Sequence, residues 1–458
     1  MSAARLPDGR LLSWYGDDYT GSAAVMEVLS FGGIEAVLFL DVPTPEQLAA
    51  FPHARAIGIA GIARSETPAW MDRHLPAIFA ALAGLGTALT HYKVCSTLDS
   101  SPEIGSIGHA VDLAAPLLGG SWIPTLLAAP VMRRYQAFGH LFASSGDRVF
   151  RLDRHPVMAR HPVTPMHESD VARHLALQSS IPTACIDMTA LRAADGGDAA
   201  LAQMLRTGPA IVTLDGIDEA DMARAGRLIW EHRGDRLLAV GSQGVQYALL
   251  AYWRSIGAIG EPPAASSAGA VSQILAVSGS VSPTTAEQID WSAANGFGLV
   301  ALDAARLLAS PEAEIERATA AARRALSSGL SALIHSARGP DDPAIAAFRE
   351  AVARSGMAVA SANARIGAGL GQILRHLLSA TGLGRAVISG GDTSGHASQQ
   401  LGVYALTALA PTIPGAALCT AHRHRGSPIE LALKGGQMGT PDYFGWIRDG
   451  GGPRNTTI

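Results

Sequence analysis

Short apolar runs alternate with stretches of helical periodicity from Leu11 to about Pro130. The runs include LLSWYG, ARAIGIAG and ALTHYKVC, and the segments between them repeat apolar residues at helical spacing. Continuous apolar strands that alternate with helices are typical of a parallel sheet covered on both faces. The stretch from Arg133 to Pro165 interrupts this pattern, and its content of Pro, His and Arg predicts a long ordered loop. The alternation then resumes and continues to about Gly244.

A segment rich in Pro, Ala, Ser and Gly, IGEPPAASSAGAVS, predicts a linker over 259–272 because it lacks an apolar period. A second alternating series follows it. We therefore predict an α/β fold with two domains, 1–258 and 273–458, each a mostly parallel sheet flanked by helices. The active-site cleft is expected between the domains, since such folds bind ligands at strand C-termini and domain boundaries.

Composition narrows the function classes. The 458 residues are 48% apolar but only 5% aromatic, and the formal net charge is −4. The sequence has no Lys/Arg cluster that would indicate a nucleic-acid partner. It also has no apolar run long enough to indicate export or membrane insertion. The cysteines (Cys95, Cys185 and Cys419) form no CxxC pair, and the spacing and neighbours of the histidines do not predict a metal site. We expect a cytoplasmic protein with no membrane or nucleic-acid partner, and we leave a homodimer open.

Three glycine-rich strand-to-helix turns in the second domain suit an anion. They lie in AVSGSVSPTT, VISGGDTSG and LALKGGQMGT. Such turns expose backbone N–H groups and the positive end of a helix dipole, and the lysine adds a positive charge. Tight packing explains one such turn equally well, but three in one domain favour nucleotide phosphates. The predicted nucleotide-binding residues are Ser278, Gly390, Gly391, Thr393, Ser394, Gly395, Lys434, Gly435, Gly436 and Gly439.

In the first domain, charged and hydroxyl side chains follow three predicted strands. GDDYTG supplies two adjacent aspartates, GIARSETP supplies an arginine, and HYKVCSTLDSSPEIGSIG supplies a lysine with several hydroxyls. This combination predicts a pocket for a small polyhydroxylated anion. The alternative is that the aspartates are turn and N-cap residues, and we expect this to hold for one of them. The candidates are Asp17, Asp18, Arg64, Lys93, Ser96, Thr97, Asp99 and Ser100.

The chain resembles the four-carbon acid sugar kinase family, also called DUF1537. Members open with a strand followed by ADDLTGA, here YGDDYTGSA, and carry a stretch like YKKIDSTLRGNIG, here YKVCSTLDSSPEIGSIG. GGDTSG is unchanged at 390–395, and LKGGQMGTPDYF at 433–444 is similar to LKSGNFGGPDFF. These four motifs span nearly the whole chain in the same order.

The resemblance implies an N-terminal substrate domain, a C-terminal nucleotide domain, and ATP-dependent phosphorylation of a sugar-acid hydroxyl with Mg²⁺. It implies that Arg64 and Lys93 hold the substrate carboxylate. One of Asp17 and Asp18 would accept the hydroxyl proton, and the other would fix the loop. The remaining substrate-binding residues would be Ser96, Thr97, Asp99 and Ser100.

Two positions depart from the family pattern. Cys95 stands where relatives have Asp, and Asp99 stands where they have Arg. This variant stretch resembles a subgroup acting on branched acids such as 3-oxo-isoapionate, and it puts linear four-carbon substrates in doubt. The alternatives are a threonate or erythronate kinase, a non-catalytic nucleotide-binding regulator, and an aldolase or dehydratase in which Lys93 forms a Schiff base.

Overall fold

The computed structural model describes residues 5–208 and 210–454, apart from the side chains of Thr207 and Asp392. The chain divides after Pro263 into two units, and each unit contains hydrogen-bonded strands covered by helices. The predicted α/β class is confirmed: the neighbouring strands of both units are mostly parallel.

The apolar runs of the first unit form strands, and most of the strands in this unit are parallel. The strands are β1 (Leu12–Gly16), β2 (Ala36–Phe39), β3 (Ala56–Ala60), β4 (Leu89–Lys93), β5 (Ile123–Leu126), β6 (Arg134–Ala137), β7 (His140–Ser145), β8 (Arg148–Arg151), β9 (Thr183–Ile186), β10 (Ile211–Leu214) and β11 (Leu237–Gly241). Among the described residues of this unit, eight strands pair in parallel in the order β2-β3-β1-β4-β11-β5-β10-β9. Every residue of β1, β3 and β4 is buried, as expected for strands covered on both faces.

The helices of the first unit form two packed groups. They are α1 (Tyr19–Phe31), α2 (Pro45–Ala49), α3 (Pro68–Gly84), α4 (Ile107–Leu118), α5 (Val171–Ala176), α6 (Met188–Leu191), α7 (Asp198–Met204), α8 (Glu219–Glu231) and α9 (Gly244–Ser255). Helix α9 contacts α1 and α8, whereas α4 contacts α3 and α5. Side chains cap the helix starts, as where Thr67 accepts a hydrogen bond from the Trp70 N–H at the start of α3.

An aromatic cluster lies in the core below the ends of β1 and β4. Tyr15 stacks on Tyr92 with ring centroids 6.0 Å apart, and Phe79 of α3 meets each ring edge-on at 6.1 Å. Offset-stacked and edge-on rings are the favourable aromatic arrangements. The cluster fixes the spacing of the two strands one residue before the chain reaches Gly16 and Lys93.

The stretch predicted as a long loop, residues 133–165, contains strands, so that prediction is wrong over its first half. The strands β6, β7 and β8 form an antiparallel meander over 134–151. Asp215 holds its first turn, accepting hydrogen bonds from the backbone N–H groups of Phe138 and Gly139. A buried carboxylate satisfied by backbone donors is a long-range contact with no local sequence signal. The Pro- and His-rich remainder is irregular, with 3₁₀ turns at Leu152–Arg154 and Met158–Arg160.

The second unit repeats the parallel arrangement. Its strands are β12 (Leu275–Ser278), β13 (Phe297–Ala301), β14 (Ser331–His335), β15 (Arg385–Ser389), β16 (Val403–Ala410), β17 (Leu418–Arg423) and β18 (Ile429–Lys434). Its helices are α10 (Pro283–Ala294), α11 (Ala304–Ala309), α12 (Pro311–Ser327), α13 (Pro343–Ser355), α14 (Val359–Thr381), α15 (Gly391–Gln400) and α16 (Tyr443–Arg448). The strand order is β13-β14-β12-β15-β18-β17-β16, in which β17 is antiparallel to both of its neighbours.

Within residues 5–208 and 210–454, every helix is too short or too polar to cross a lipid bilayer. In the same part of the chain, His, Cys, Asp and Glu side chains do not gather in groups of three or more that could hold a metal ion. Cys95, Cys185 and Cys419 are not joined to one another by disulfide bonds.

Candidate active site

The charged motifs of the first unit meet at one edge of neighbouring parallel strands. Strand β1 lies between β3 and β4, and Gly16 is in register with Ala60 and with Lys93. The chain after each strand therefore begins at the same edge. The two aspartates follow β1, Arg64 lies in the 3₁₀ turn after β3, and Lys93 ends β4.

Arg64 joins the two aspartates through one nitrogen atom. Its Nη2 lies 2.6 Å from Oδ1 of Asp17 and 2.6 Å from Oδ1 of Asp18, and its Nε donates to Oδ2 of Asp17 at 3.3 Å. A guanidinium can donate five hydrogen bonds in a planar fork. These contacts use three donors and leave the two N–H groups of Nη1 outside the pair. Arg64 therefore offsets the repulsion between the adjacent carboxylates.

The two aspartates differ in exposure and in local role. Asp18 is the N-cap of α1, where it accepts a hydrogen bond from the Gly21 N–H at 2.9 Å, and its side chain is 28% exposed. The side chain of Asp17 is 2% exposed, and burial raises its pKa, while the charge of Arg64 opposes that rise. One aspartate is thus the expected N-cap, and it is also the one that solvent reaches.

Lys93 lies beside the aspartates but is almost completely buried. Its Nζ donates to the Val94 carbonyl at 2.7 Å, and burial lowers its pKa while the charge of Asp18 opposes the fall. A Cβ added to Gly21 would lie 2.7 Å from this Nζ and would collide with Oδ1 of Asp18. The ammonium and the carboxylate therefore converge over the bare backbone of Gly21, where a side chain would separate them.

In the loop after β4, three side chains are linked by consecutive hydrogen bonds. The Cys95 Sγ lies 3.0 Å from the Thr97 Oγ1, which donates to Oδ1 of Asp99 at 2.8 Å. Because Thr97 has a single hydroxyl proton, the thiol is the donor to Thr97. Burial and the charge of Asp99 raise the Cys95 pKa, in keeping with a protonated thiol. Ser96 is half-buried between Cys95 and Thr97.

Ser100, a predicted substrate ligand, is buried and bonded within the protein. Its Oγ donates to the Leu98 carbonyl at 2.9 Å and lies 2.8 Å from Nε2 of His174 and 3.1 Å from Nε2 of Gln178. His174 and Gln178 were not predicted from the sequence, because they lie more than 70 residues further along the chain and carry no local motif.

Two other features near this loop were also missed. Burial lowers the pKa of the Arg134 guanidinium at the start of β6, and the negative charge of Asp99 opposes that fall. Strand β11 ends in Gly241, which pairs with Lys93, and the turn Gly-Ser-Gln-Gly then opens α9. That turn has the strand–Gly–Ser form singled out elsewhere in the chain, so a sequence signal was available for it.

The three glycine-rich turns of the second unit lie side by side. Strand β15 lies between β12 and β18, and Ser389 is in register with Ser278 on one side and with Lys434 on the other. All three strands are parallel, so the three turns begin at one edge. The structure therefore brings together the predicted residues of all three motifs.

The middle turn exposes the start of a helix. Gly390 has a φ of +122°, a region that favours glycine, and it precedes α15 with no side-chain cap. A Cβ added to Gly391 would meet no atom within 4 Å, so this position faces open space. Ser394 donates to the Gly390 carbonyl at 2.7 Å, and Thr393 packs so closely under the first turn that a Cβ on Gly279 would collide with it. Gly395 is buried inside α15.

Lys434 is fully buried beneath the third turn. Its Nζ donates to the Gly435 carbonyl at 2.9 Å and lies 3.4 Å from the Gly436 carbonyl, and burial lowers its pKa to about 8. The hydroxyl of Thr285 in α10 also donates to the Gly436 carbonyl, at 2.8 Å. Gly439 has a φ of +93° and packs against Gln288. A positive charge thus lies below a turn held in place by α10.

These features fit the phosphate groups of a nucleotide. An uncapped helix start directs free N–H groups at an anion, and close approach of the phosphate needs the open space at Gly391. The Ser389 Oγ is buried and has no hydrogen-bond partner among the described residues. Lys93 and Lys434 are the two lysines of the entire sequence, beside 33 arginines, and each ends a strand at one of these two sites.

Comparisons with known proteins agree with this reading. A model described as a sugar-binding N-terminal domain matches residues 12–249, and one described as a nucleotide-binding C-terminal domain matches residues 275–444. A 3-oxo-isoapionate kinase of Paraburkholderia graminis is 46% identical over 98% of this chain and 96% of its own length. A 3-oxo-tetronate kinase of Methylobacterium radiotolerans is 31% identical over 94% of this chain and 97% of its own length.

A solved structure shares the fold. It is a Haemophilus influenzae protein of the DUF1537 family, 23% identical, with a TM-score of 0.72 over 95% of this chain and 99% of that one. The family models, the full-length relatives and the four motifs in order lead to one assignment. The chain belongs to the four-carbon acid sugar kinase family, DUF1537.

Proposed function

We propose that this chain uses ATP to phosphorylate a hydroxyl of 3-oxo-isoapionate or a similarly branched 3-oxo acid. The observation that carries the proposal is the 46% identity, over 98% of the chain, to the Paraburkholderia graminis 3-oxo-isoapionate kinase. The 3-oxo-tetronate kinase of Methylobacterium radiotolerans is more distant, at 31%. A branched five-carbon acid differs from a tetronate by an added hydroxymethyl group, so the two substrates need different hydrogen-bonding partners.

On the substrate side, Asp18 accepts the proton of the attacking hydroxyl. Its side chain is 28% exposed, whereas both carboxylate oxygens of Asp17 are bound by Arg64 and that side chain is 2% exposed. Asp17 therefore anchors the guanidinium. The free Nη1 of Arg64 and the ammonium of Lys93 take the carboxylate of the acid, since both are cations at the same strand edge.

The loop after β4 receives the hydroxyl groups of the substrate. Asp99 is a carboxylate where family members have an arginine, and it accepts hydrogen bonds. Ser96 and Thr97 lie beside it. A substrate without the matching hydroxyl leaves such a group unpaired, which costs about 1–3 kcal/mol per group. The buried Ser100 is left out of this contact set because its hydroxyl is bonded to Leu98 and lies against His174.

On the nucleotide side, the phosphates of ATP lie over the three turns. The N–H groups at the start of α15 and the charge of Lys434 beneath its turn stabilise them. Mg²⁺ bound with ATP would neutralise negative charge on the phosphates. In the reaction, the substrate oxygen bonds to the γ-phosphorus, the bond to the β-phosphate oxygen breaks, ADP leaves, and the hydroxyl proton goes to the Asp18 carboxylate.

The proposal is tested by coupled ADP release with freshly prepared 3-oxo-isoapionate, 3-oxo-tetronate, D-threonate and D-erythronate. We expect kcat/KM at least about tenfold higher for the branched 3-oxo acid than for D-threonate or D-erythronate. Equal or faster turnover of D-threonate would return the chain to the linear four-carbon kinases.

Two other outcomes identify the remaining alternatives. ADP binding without turnover of any acid would indicate a nucleotide-binding regulator. Trapping of the keto acid on Lys93 by borohydride, with cleavage of the acid in the absence of ATP, would indicate Schiff-base chemistry.

A further inference from the structure

The 95–100 loop has two chemically different sides. Cys95, Thr97 and Asp99 form one hydrogen-bonded series, and the charge of Asp99 acts on Arg134. Leu98 and Ser100 lie on the other side and are buried. The carboxylate of Asp99 is therefore partly exposed and acts on Arg134, whereas Leu98 and Ser100 are buried in the protein.

Leu98, at the centre of the loop, has a strained backbone. Its φ is +54°, in the left-handed region, although its side chain is bulky and fully buried in the core. Such a conformation is unfavourable for a non-glycine residue and persists only where the surroundings hold it. The contacts that stabilise Leu98 therefore determine where Thr97 and Asp99 lie.

A buried polar network holds this backbone. Ser100 donates to the Leu98 carbonyl at 2.9 Å, and its Oγ lies 3.1 Å from Nε2 of Gln178 and 2.8 Å from Nε2 of His174. The Gln178 Nε2 also lies 2.9 Å from the His174 Nε2. With the Ser100 proton donated to the Leu98 carbonyl, the His174 Nε2 either donates to the Ser100 Oγ or accepts from the Gln178 amide, depending on the tautomer. The network is closed on its other side, where the Gln178 Oε1 accepts from the Gly108 N–H of α4 at 3.2 Å.

The network is attached to rigid elements and stays neutral. His174 lies in α5, and Gln178 packs so closely on α4 that a Cβ added to Gly108 would lie 2.5 Å from its carbonyl carbon. Burial lowers the pKa of His174 to about 4, so the imidazole is uncharged at neutral pH. Hydrogen bonds within a buried polar network favour one arrangement of the chain around it.

We propose that Ser100, His174 and Gln178 are positioning residues that set substrate preference by holding Leu98 in its left-handed conformation, without touching the substrate. The proposal deepens the kinase function proposed above and rests on it for its kinetic part. Loss of the network lets the loop relax, so that Thr97 and Asp99 no longer match the added hydroxymethyl group. We therefore expect a smaller difference in kcat/KM between the two acids, and no loss of nucleotide binding.

The test compares Ser100→Ala, Gln178→Met and the double variant. Gln178→Met keeps length and volume but removes the amide, and Ser179→Ala is the matched control because Ser179 bonds Asp112 and not the loop. We expect both single variants to lower the kcat/KM ratio of 3-oxo-isoapionate to 3-oxo-tetronate by about tenfold. The double variant should lower it no further, since the residues act as one unit. The Ser179→Ala ratio should match the wild type.

A second measurement needs no turnover. Hydrogen exchange at the amides of 97–101 should be faster in both single variants and unchanged in Ser179→Ala. If Ser100→Ala changes the substrate ratio while Gln178→Met changes neither ratio nor exchange, Ser100 contacts the substrate and the proposal is wrong. If the wild type turns over neither acid, the proposed function fails, and unchanged exchange in the variants would separately overturn the network.

Discussion

The Nη2 atom of Arg64 lies 2.6 Å from Oδ1 of Asp17, and this pair is the most deeply buried ionic contact of the candidate substrate site. The carboxylate has lost its water, and the guanidinium replaces that water with two hydrogen bonds. The same nitrogen reaches Asp18, so one cation serves a buried carboxylate and an accessible one. The arrangement leaves Asp18, the proposed proton acceptor, accessible while the buried Asp17 holds the guanidinium.

Arg64→Ala is expected to destabilise the first unit. It leaves Asp17 buried without its partner, which costs about 2–3 kcal/mol because the arginine is itself partly exposed. Urea unfolding measures the loss, and Arg73→Ala on the exposed face of α3 is the control, with a change below about 0.5 kcal/mol. Adding Asp17→Asn to Arg64→Ala should recover part of the stability. If the double variant is no more stable than Arg64→Ala, the unpaired Asp17 carboxylate is not the cause of the destabilisation.

Asp18→Asn is expected to lower kcat by on the order of 10²-fold with little change in ADP affinity. The amide keeps the shape of the N-cap but cannot take the hydroxyl proton. Steady-state kinetics and ADP titration separate the two effects, and helix content by circular dichroism checks the cap. A near wild-type kcat in both Asp18→Asn and Asp17→Asn would mean that neither aspartate accepts the proton and that the pair is structural.

Gly391→Ala is expected to fold normally and to bind ADP at least about tenfold more weakly. The added Cβ meets no protein atom within 4 Å, so it intrudes on the space left for a phosphate rather than on packing. Gly384→Ala is the matched control, because its Cβ also meets nothing within 4 Å. Unchanged ADP affinity in Gly391→Ala would move the phosphates away from this turn.

Nucleotide affinity is expected to fall as the pH rises above about 8. In the free protein Lys434 loses its proton near that pH, whereas bound phosphates favour the ammonium and raise its pKa, so binding takes up a proton. Calorimetry between pH 7.5 and 9.5 should show ADP affinity decreasing by about tenfold. Lys434→Met should bind more weakly and show no such decrease. A flat wild-type profile would exclude a titrating role for this lysine.

Asp99→Asn is expected to weaken the preference for 3-oxo-isoapionate over D-threonate, and Asp99→Arg to abolish turnover of the preferred acid. The carboxylate accepts a hydrogen bond from Thr97 and is proposed to accept others from substrate hydroxyls. Competition assays with both acids measure the preference. Asp147→Asn, in the exposed turn between β7 and β8, is the control. An unchanged preference in Asp99→Asn would place the hydroxymethyl group elsewhere.

The sequence predicts that Asp17, Arg64 and Lys93 lie at the same edge of the sheet. The prediction follows from the alternation of strands and helices alone. Each ends or follows an apolar run, and parallel strands share one edge for their C-terminal ends. The same argument brings Ser278 and Lys434 to one edge of the second unit. Repeated local patterns were sufficient for these placements.

The choice of partners at those edges could not be predicted. The sequence offers two aspartates and two cations, but only distances show that Arg64 bonds both carboxylates while Lys93 turns to the Val94 carbonyl. The direction of Ser100 depends on the left-handed backbone of Leu98, and leucine gives no signal for that conformation. Its partner His174 comes from a helix 74 residues away.

The scarcity of lysine turns the two sites into chemically addressable positions. With 33 arginines and two buried lysines in the sequence, an amine acylating reagent has only Lys93 and Lys434 as side-chain targets. Their pKa values are both lowered, which favours the reactive neutral amine. Peptide mapping after acylation therefore measures the occupancy of each candidate site separately. A sugar acid should protect the peptide that contains Lys93, and ADP should protect the peptide that contains Lys434. Acylation of a lysine side chain in a cell would likewise mark one of the two candidate sites.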